Sequence, residues 1–223
     1  MAPLGVIGGM GVHTTARFYT MLTDMQAVSF EQEYMDVLIY SKPSIPDRTG
    51  FITGKSNENP LASLLDAAKI LVSAGAGCIV MPCVTAHFFY EALARTVPVP
   101  FINMMDETAE YVHECGYPKI GLLATDGTLQ GRLFHKAFAK FGIDVVLPDT
   151  KAQEFLGEAI YQLKRGKMPG NTLGDLSAGL HDLGAEAIVL GCTELGLLQR
   201  CNEHIYIEAM EVLAKAALIR MKD

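Results

Sequence analysis

The chain carries one short pattern twice. "IVMPCVTAHFF" (79–89) and "IVLGCTELGLL" (188–198) each place a cysteine directly after an apolar, β-branched run. Gly75-Ala76 precedes the first run and Gly184-Ala185 precedes the second, and each glycine lies the same distance from its cysteine. Upstream, "MDVLIYS" (35–41) matches "IDVVLPD" (143–149). A chain repeating itself in this order is restricted to two similar units on one plan. Within each unit, short apolar runs alternate with segments of helical periodicity, which is the signature of parallel α/β structure.

The first unit reads as strands at 4–9, 36–41, 78–83 and 101–104, with helices at 13–26 and 60–75. The second reads as strands at 119–125, 144–149 and 187–192, with helices at 127–142, 155–167 and 173–185. The expected fold is α/β, with two pseudo-symmetric lobes. Each is a parallel sheet flanked by helices, and the site lies in the cleft between them. The lobes are expected at 1–105 and 106–206, with a C-terminal helix over 207–223 packing back on the first lobe.

In open parallel sheets, ligands bind beyond the carboxyl ends of the strands. Gly8-Gly9-Met10-Gly11, Ser41, Cys83, Thr125 and Cys192 all stand at such ends. A thiol acts as a base only as thiolate, and the start of a helical turn favours the anion. Cys83 and Cys192 both stand where a strand hands over to the next element. Cys78, Cys115 and Cys201 read as small apolar filler or incidental thiols. Arg48 in "PSIPDRTG" (43–50) and Lys164 in "QLKRGK" (162–167) read either as carboxylate-binding cations or as solvated charges. "GGMG" lacks the full dinucleotide-binding spacing and fits close approach of backbone amides to a carboxylate. Cys83 and His87, four apart, could share a helix face as metal ligands, but no second close pair supports a metal centre.

Composition narrows the function. A net charge of −7 argues against a general nucleic-acid binder. The apolar runs fall well short of the roughly 20 residues that span a bilayer. The opening "MAPLGVIGGMG" has no basic n-region, so it does not read as a signal peptide. Five cysteines without a dense framework suggest free thiols in a reducing cytoplasm.

Cys83 through His87 resembles the C-N-T-A-H motif of the cofactor-independent aspartate/glutamate racemases, and "GCTEL" (191–195) resembles their second-cysteine motif. "GGMG", "IPDRT" (45–49) and "LLATDGT" (122–128) resemble the aspartate branch, and the resemblance covers nearly the whole chain in order. It implies an amino-acid racemase, a homodimer of two-lobed chains, working without pyridoxal phosphate or any other cofactor. One thiolate takes the α-proton of a small acidic amino acid and the opposite thiol returns a proton to the other face. By position, Cys83 and Cys192 are the acid/base pair. Arg48 and Lys164 hold carboxylates, while Met10, Val84, Thr85 and Thr193 line the substrate. His87, Glu194 and Thr125 are placed to tune the thiols, although His87 also fits a helix-capping or core role.

Three positions depart from the family pattern. Val84 stands for the Asn after the first cysteine, Val12 for a proline after "GGMG", and Ser41-Lys42 for an Asn before "PSIPDRT". None touches the thiols, but Val84 removes an amide that both donates and accepts. Aspartate is the expected substrate and glutamate the next. The alternatives are a hydantoin- or maleate-type isomerase on the same scaffold, and a non-catalytic carboxylate-binding protein. A sensor would not need two thiols.

Overall fold

The computed structural model describes residues 2–222; Met1 and Asp223, the outer ends of the expected ranges, lie outside the described residues. The first half contains β1 (Leu4–Gly8), α1 (Val12–Asp24), β2 (Val37–Ser41), α2 (Arg48–Ile52), α3 (Leu61–Ser73), β3 (Cys78–Val80), α4 (Tyr90–Thr96) and α5 (Met104–Glu114). The second contains β4 (Lys119–Ala124), α6 (Asp126–Gln130), α7 (Leu133–Ala139), β5 (Asp144–Val146), α8 (Thr150–Lys164), α9 (Leu173–Asp182), β6 (Ala187–Gly191), β7 (Tyr206–Glu208) and α10 (Ala209–Arg220).

Among the described residues there are two sheets, with strand orders β2-β1-β3 and β5-β4-β6-β7, and every pairing is parallel. The repeat read in the sequence is therefore a repeat of topology: β1 and β4 are central, β2 and β5 sit on one side, β3 and β6 on the other. The matched glycines have a common cause. Gly75 and Gly184 follow α3 and α9 at φ +98° and +87°. The next residues, Ala76 and Ala185, turn their N–H groups back to Leu71 O and Leu180 O. Left-handed backbone of this kind ends a helix at little cost only with glycine.

Two expected elements differ. The strand at 101–104 shrinks to one parallel bridge, Ile79 with Phe101, because Asn103 caps α5 and accepts from Met105 N. The C-terminal helix starts at Ala209, because Tyr206–Glu208 first pair with β6 as β7. These two features are counterparts. Each adds beside the cysteine strand, and each is followed by a helix that leaves its own sheet. α5 packs on α7, α10 packs on α1, and the two helices pack on each other.

A single core joins the halves as a result. Phe18 of α1, Met104 of α5, Phe134 of α7 and Leu213 of α10 lie in it with Val6, Val80, Leu122 and Val189 from the strands. Each large apolar side chain so buried stabilises the fold by roughly 1.5–3 kcal/mol. The outer face of the first sheet is covered by Leu64, Ala68 and Leu71 of α3, and that of the second by Ile160, Leu163 and Leu180 of α8 and α9. No helix among the described residues is long and apolar enough to cross a membrane.

Candidate active site

Cys83 and Cys192 follow β3 and β6 and are 6% and 4% exposed. Each leads into a 3-10 turn, Thr85–Phe89 and Thr193–Leu197. Each turn then meets the other half of the chain. Gly127 of α6 lies so close that a methyl group there would sit 3.0 Å from the Thr85 side chain. Gly11 faces Glu194 in the same way, at 3.1 Å from Oε1. Gly11 and Gly127 occupy equivalent places, three residues past the ends of β1 and β4. The residue two beyond each cysteine thus docks on the backbone after the other sheet's central strand.

The surroundings of the thiols differ. Cys192 Sγ donates to Glu194 Oε2 at 3.1 Å, and Thr193 Oγ1 donates to the same oxygen at 3.2 Å. Burial pushes the Cys192 thiol well above its ordinary pKa, and the Glu194 carboxylate pushes it further, with Lys164 acting the other way. Cys192 therefore rests as a thiol. Near Cys83, Thr85 Oγ1 lies 2.9 Å from Thr125 Oγ1 and 3.1 Å from Thr128 Oγ1, forming a buried hydroxyl triad between the halves.

His87 is fully buried, and both ring nitrogens are engaged. Nδ1 lies 2.9 Å from the Cys83 carbonyl, and Met104 N donates to Nε2 at 3.3 Å. Only the tautomer with a proton on Nδ1 satisfies both contacts. Burial lowers the pKa to about 4, so the ring is neutral. His87 ties the first cysteine to the N-terminus of α5. It leaves no nitrogen for a metal, and no three His, Cys, Asp or Glu groups among the described residues are arranged to hold one.

The cations converge from opposite halves. Lys164 ends α8, half-buried, with Nζ 4.9 Å from the centre of the Tyr161 ring. Burial works against its charge, but Cys192, Glu194 and Cys83, in that order, outweigh burial and raise its pKa. One ammonium thus lies within electrostatic reach of both thiols. Arg48 opens α2 and is buried; Nη1 donates to Ile45 O and Pro46 O at 3.1 and 2.8 Å, while Nε has no partner. Thr49 Oγ1 and Glu194 Oε1 are likewise buried and unpartnered. Donors and an acceptor left unmatched inside a protein are costly, and these fit a ligand carrying both carboxylate and ammonium.

Sequence reasoning passed over several neighbours. Asp47 caps α2 and accepts from Tyr161 OH at 2.9 Å, a bond between the two halves. Its carboxyl is held below its usual range: burial, the largest influence, opposes this, but the Gly50 N–H, the Lys164 charge and the Tyr161 hydroxyl prevail. Asp47 and Thr49 lie inside "IPDRT" and Thr128 inside "LLATDGT", so the motifs contained them without singling them out. Tyr161 stands one helical turn before Lys164, on the same face. Val84 and Met10, expected to line the substrate, are both buried: Val84 in the shared core and Met10, in one cluster with Cys83, in that of the first sheet.

The Asp/Glu/hydantoin racemase family model matches residues 7–217. The chain belongs to this family. A broad specificity amino-acid racemase of Bacillus subtilis, RacX, is 25% identical over 97% of this chain and 95% of its own. The structure of an aspartate racemase from Picrophilus torridus superposes with a TM-score of 0.86 at 28% identity, covering 99% of this chain and 94% of that one. An aspartate racemase homologue from Pyrococcus horikoshii covers 100% of both chains, with a TM-score of 0.79 at 26% identity. The racemases among these family members are isomerases.

Proposed function

We propose that the protein is a racemase that inverts the α-carbon of an acidic amino acid, aspartate first and glutamate next, using Cys83 and Cys192 and no pyridoxal phosphate. The observation that carries this reading is the charge pattern around the two thiols. Arg48 and Lys164 match two carboxylates, and the unpartnered Glu194 Oε1 matches one ammonium. In one direction the Cys83 thiolate takes the α-proton and the Cys192 thiol gives its own to the opposite face. In the other, Cys192 first gives up its proton through Glu194 Oε2 and Cys83 carries one; the Cys192 thiolate then takes the α-proton and the Cys83 thiol gives its own to the opposite face. The developing negative charge is spread over a carboxylate held by fixed cations in a dry cleft. Thr85 and Thr193 orient the substrate, with Thr125 supporting Thr85.

The same reading divides the chain into lobes near residue 105, with α10 returning to the first. It includes the homodimer that the family resemblance implies. The five free cysteines favour a reducing cytoplasm. A wider substrate range is the second reading, favoured by the likeness to RacX along almost the whole chain.

Proton NMR in deuterium oxide over a panel of amino acids tests both readings. An acidic substrate loses its α-proton signal and its optical activity. Cys83→Ser and Cys192→Ser each abolish inversion, and one of them retains α-proton exchange from a single enantiomer. Full racemisation by either serine variant refutes the two-base mechanism. Turnover of neutral amino acids alone refutes the acidic substrate class.

A further inference from the structure

The two thiols stand at matched positions, yet the residues four beyond them differ: His87 after Cys83 and Gly196 after Cys192. His87 secures the first turn by holding the Cys83 carbonyl and the α5 N-terminus. At Gly196 there is no side chain, and the space belongs to a buried ion cluster. A side chain at Gly196 would overlap Glu208 Oε1 and Arg17 Nη1. Glu208 ends β7, and its side chain has no exposed surface. Arg17 of α1 grips both carboxylate oxygens: Nη1 pairs with Oε1, and Nη2 donates to Oε2 at 2.9 Å. Arg200, just past the turn, donates to Oε2 at 2.8 Å. The same helix α1 presents Gly11, at its start, to Glu194. The turn carrying Cys192 and Glu194 is therefore seated against α1 at two points.

We propose that Glu208, clamped by Arg17 and Arg200 beneath Gly196, is a positioning residue for the second thiol, holding the 193–197 turn so that Glu194 stays on Cys192. It does for Cys192 what His87 does for Cys83. A buried bidentate carboxylate with two guanidinium partners is a rigid device, and truncating one side leaves the other unpaired. Its effect is one-sided, because it bears on Cys192 and not on Cys83.

The proposal rests on the two-thiol reading, and the test separates them. Primary isotope effects are measured with each α-deuterated enantiomer of the turned-over amino acid, for wild type, Glu208→Gln and the milder Arg17→Lys. Whichever of Cys83→Ser and Cys192→Ser still exchanges shows which enantiomer its remaining thiol deprotonates, and the other enantiomer then belongs to the other thiol. The clamp variants lose on the order of tenfold in kcat/KM. Their isotope effect rises for the Cys192 enantiomer and falls for the other, because only one of the two proton transfers has become harder. Unchanged effects, or effects that move together, overturn the proposal. In parallel, iodoacetamide labelling with peptide mapping compares the two thiols and needs no turnover. Several-fold faster labelling at Cys192 with Cys83 unchanged supports the clamp, and equal change at both overturns it. If wild type acts on no amino acid, the functional reading fails alone and the labelling still decides the clamp. If Glu208→Gln does not fold, Arg17→Lys supplies both readouts.

Discussion

Glu194→Gln separates the chemistry of the second thiol from its packing. The substitution keeps the shape of the side chain and removes its charge. In the native protein Glu194 Oε2 accepts from both Cys192 Sγ and Thr193 Oγ1. Hydrogen bonds to a charged group are worth roughly 1.5–3 kcal/mol, and about 1.4 kcal/mol corresponds to tenfold in rate. Loss of the proton acceptor therefore lowers kcat/KM by roughly 10- to 100-fold. The thiol itself responds in the opposite sense. Burial is the first cause of its raised pKa and the Glu194 charge the second. Removing that charge lowers the Cys192 pKa, so more thiolate is present at any given pH. Chiral chromatography of the product gives the rate, and iodoacetamide labelling of Cys192 across a pH series gives the titration. The expected pair of results is slower racemisation together with a labelling profile moved to lower pH. Native kcat/KM, or a labelling profile that stays in place, refutes the role assigned to Glu194. A racemase limited only by thiolate supply would instead become faster.

The two cations and the buried histidine give further tests. Arg48→Ala and Lys164→Ala each lower kcat/KM by on the order of tenfold or more without altering the thermal midpoint greatly, and unchanged kinetics for both returns them to structural charges. His87 has a folded pKa of about 4 against an ordinary 6.5, set by burial. A depressed pKa of this kind means that the unfolded chain takes up the proton first. The stability tied to neutral His87 is present above pH 6.5 and is lost as pH falls toward 4, by about 3 kcal/mol in all. Urea unfolding across that window checks this: wild type loses more stability than His87→Gln, and identical slopes refute it. Val84→Asn buries an amide within the shared core and costs about 1–3 kcal/mol in unfolding free energy. A variant as stable as wild type, with higher activity on aspartate, would place this side chain back among the substrate contacts.

Much of the architecture was legible because it was written twice. The runs 4–8, 120–124 and 187–191 are apolar throughout, as strands covered on both faces must be, and the Gly75 and Gly184 helix stops recur at equal spacing. What was not legible depended on contacts between distant segments. The 101–104 run looks like a strand, but Asn103 is a helix cap, and one hydrogen bond to Met105 N ends the extended backbone there. Ile207 and Glu208 read as the start of a helix, and only the open edge of β6 makes them, with Tyr206, a strand. At the candidate site, the cysteines and the "IPDRT" loop could be singled out by type and place. Glu208 and Arg17 did not: a carboxylate and an arginine 191 residues apart carry no local pattern. Val84 and Met10 entered the reading through their neighbours in sequence, and both are buried among apolar side chains, as Cys83 is.

The repeat also sets a limit on what its own breakdown can do. Thr85 and Glu194 are equivalent positions, as are His87 and Gly196, yet one turn is built from neutral hydroxyls and an imidazole and the other from carboxylates and guanidinium groups. Two enantiomers have the same free energy in solution. If the protein interconverts them, kcat/KM must be equal in the two directions however unlike the two thiols are. The asymmetry therefore cannot favour one product at equilibrium. It can appear only in how kcat and KM divide for each enantiomer, and in which proton transfer limits the rate. On the proposed mechanism, with Cys192 resting as a thiol against a carboxylate, the step in which it first releases its proton to Glu194 is the slower of the two. The enantiomer that Cys192 deprotonates should then show both the lower kcat and the lower KM.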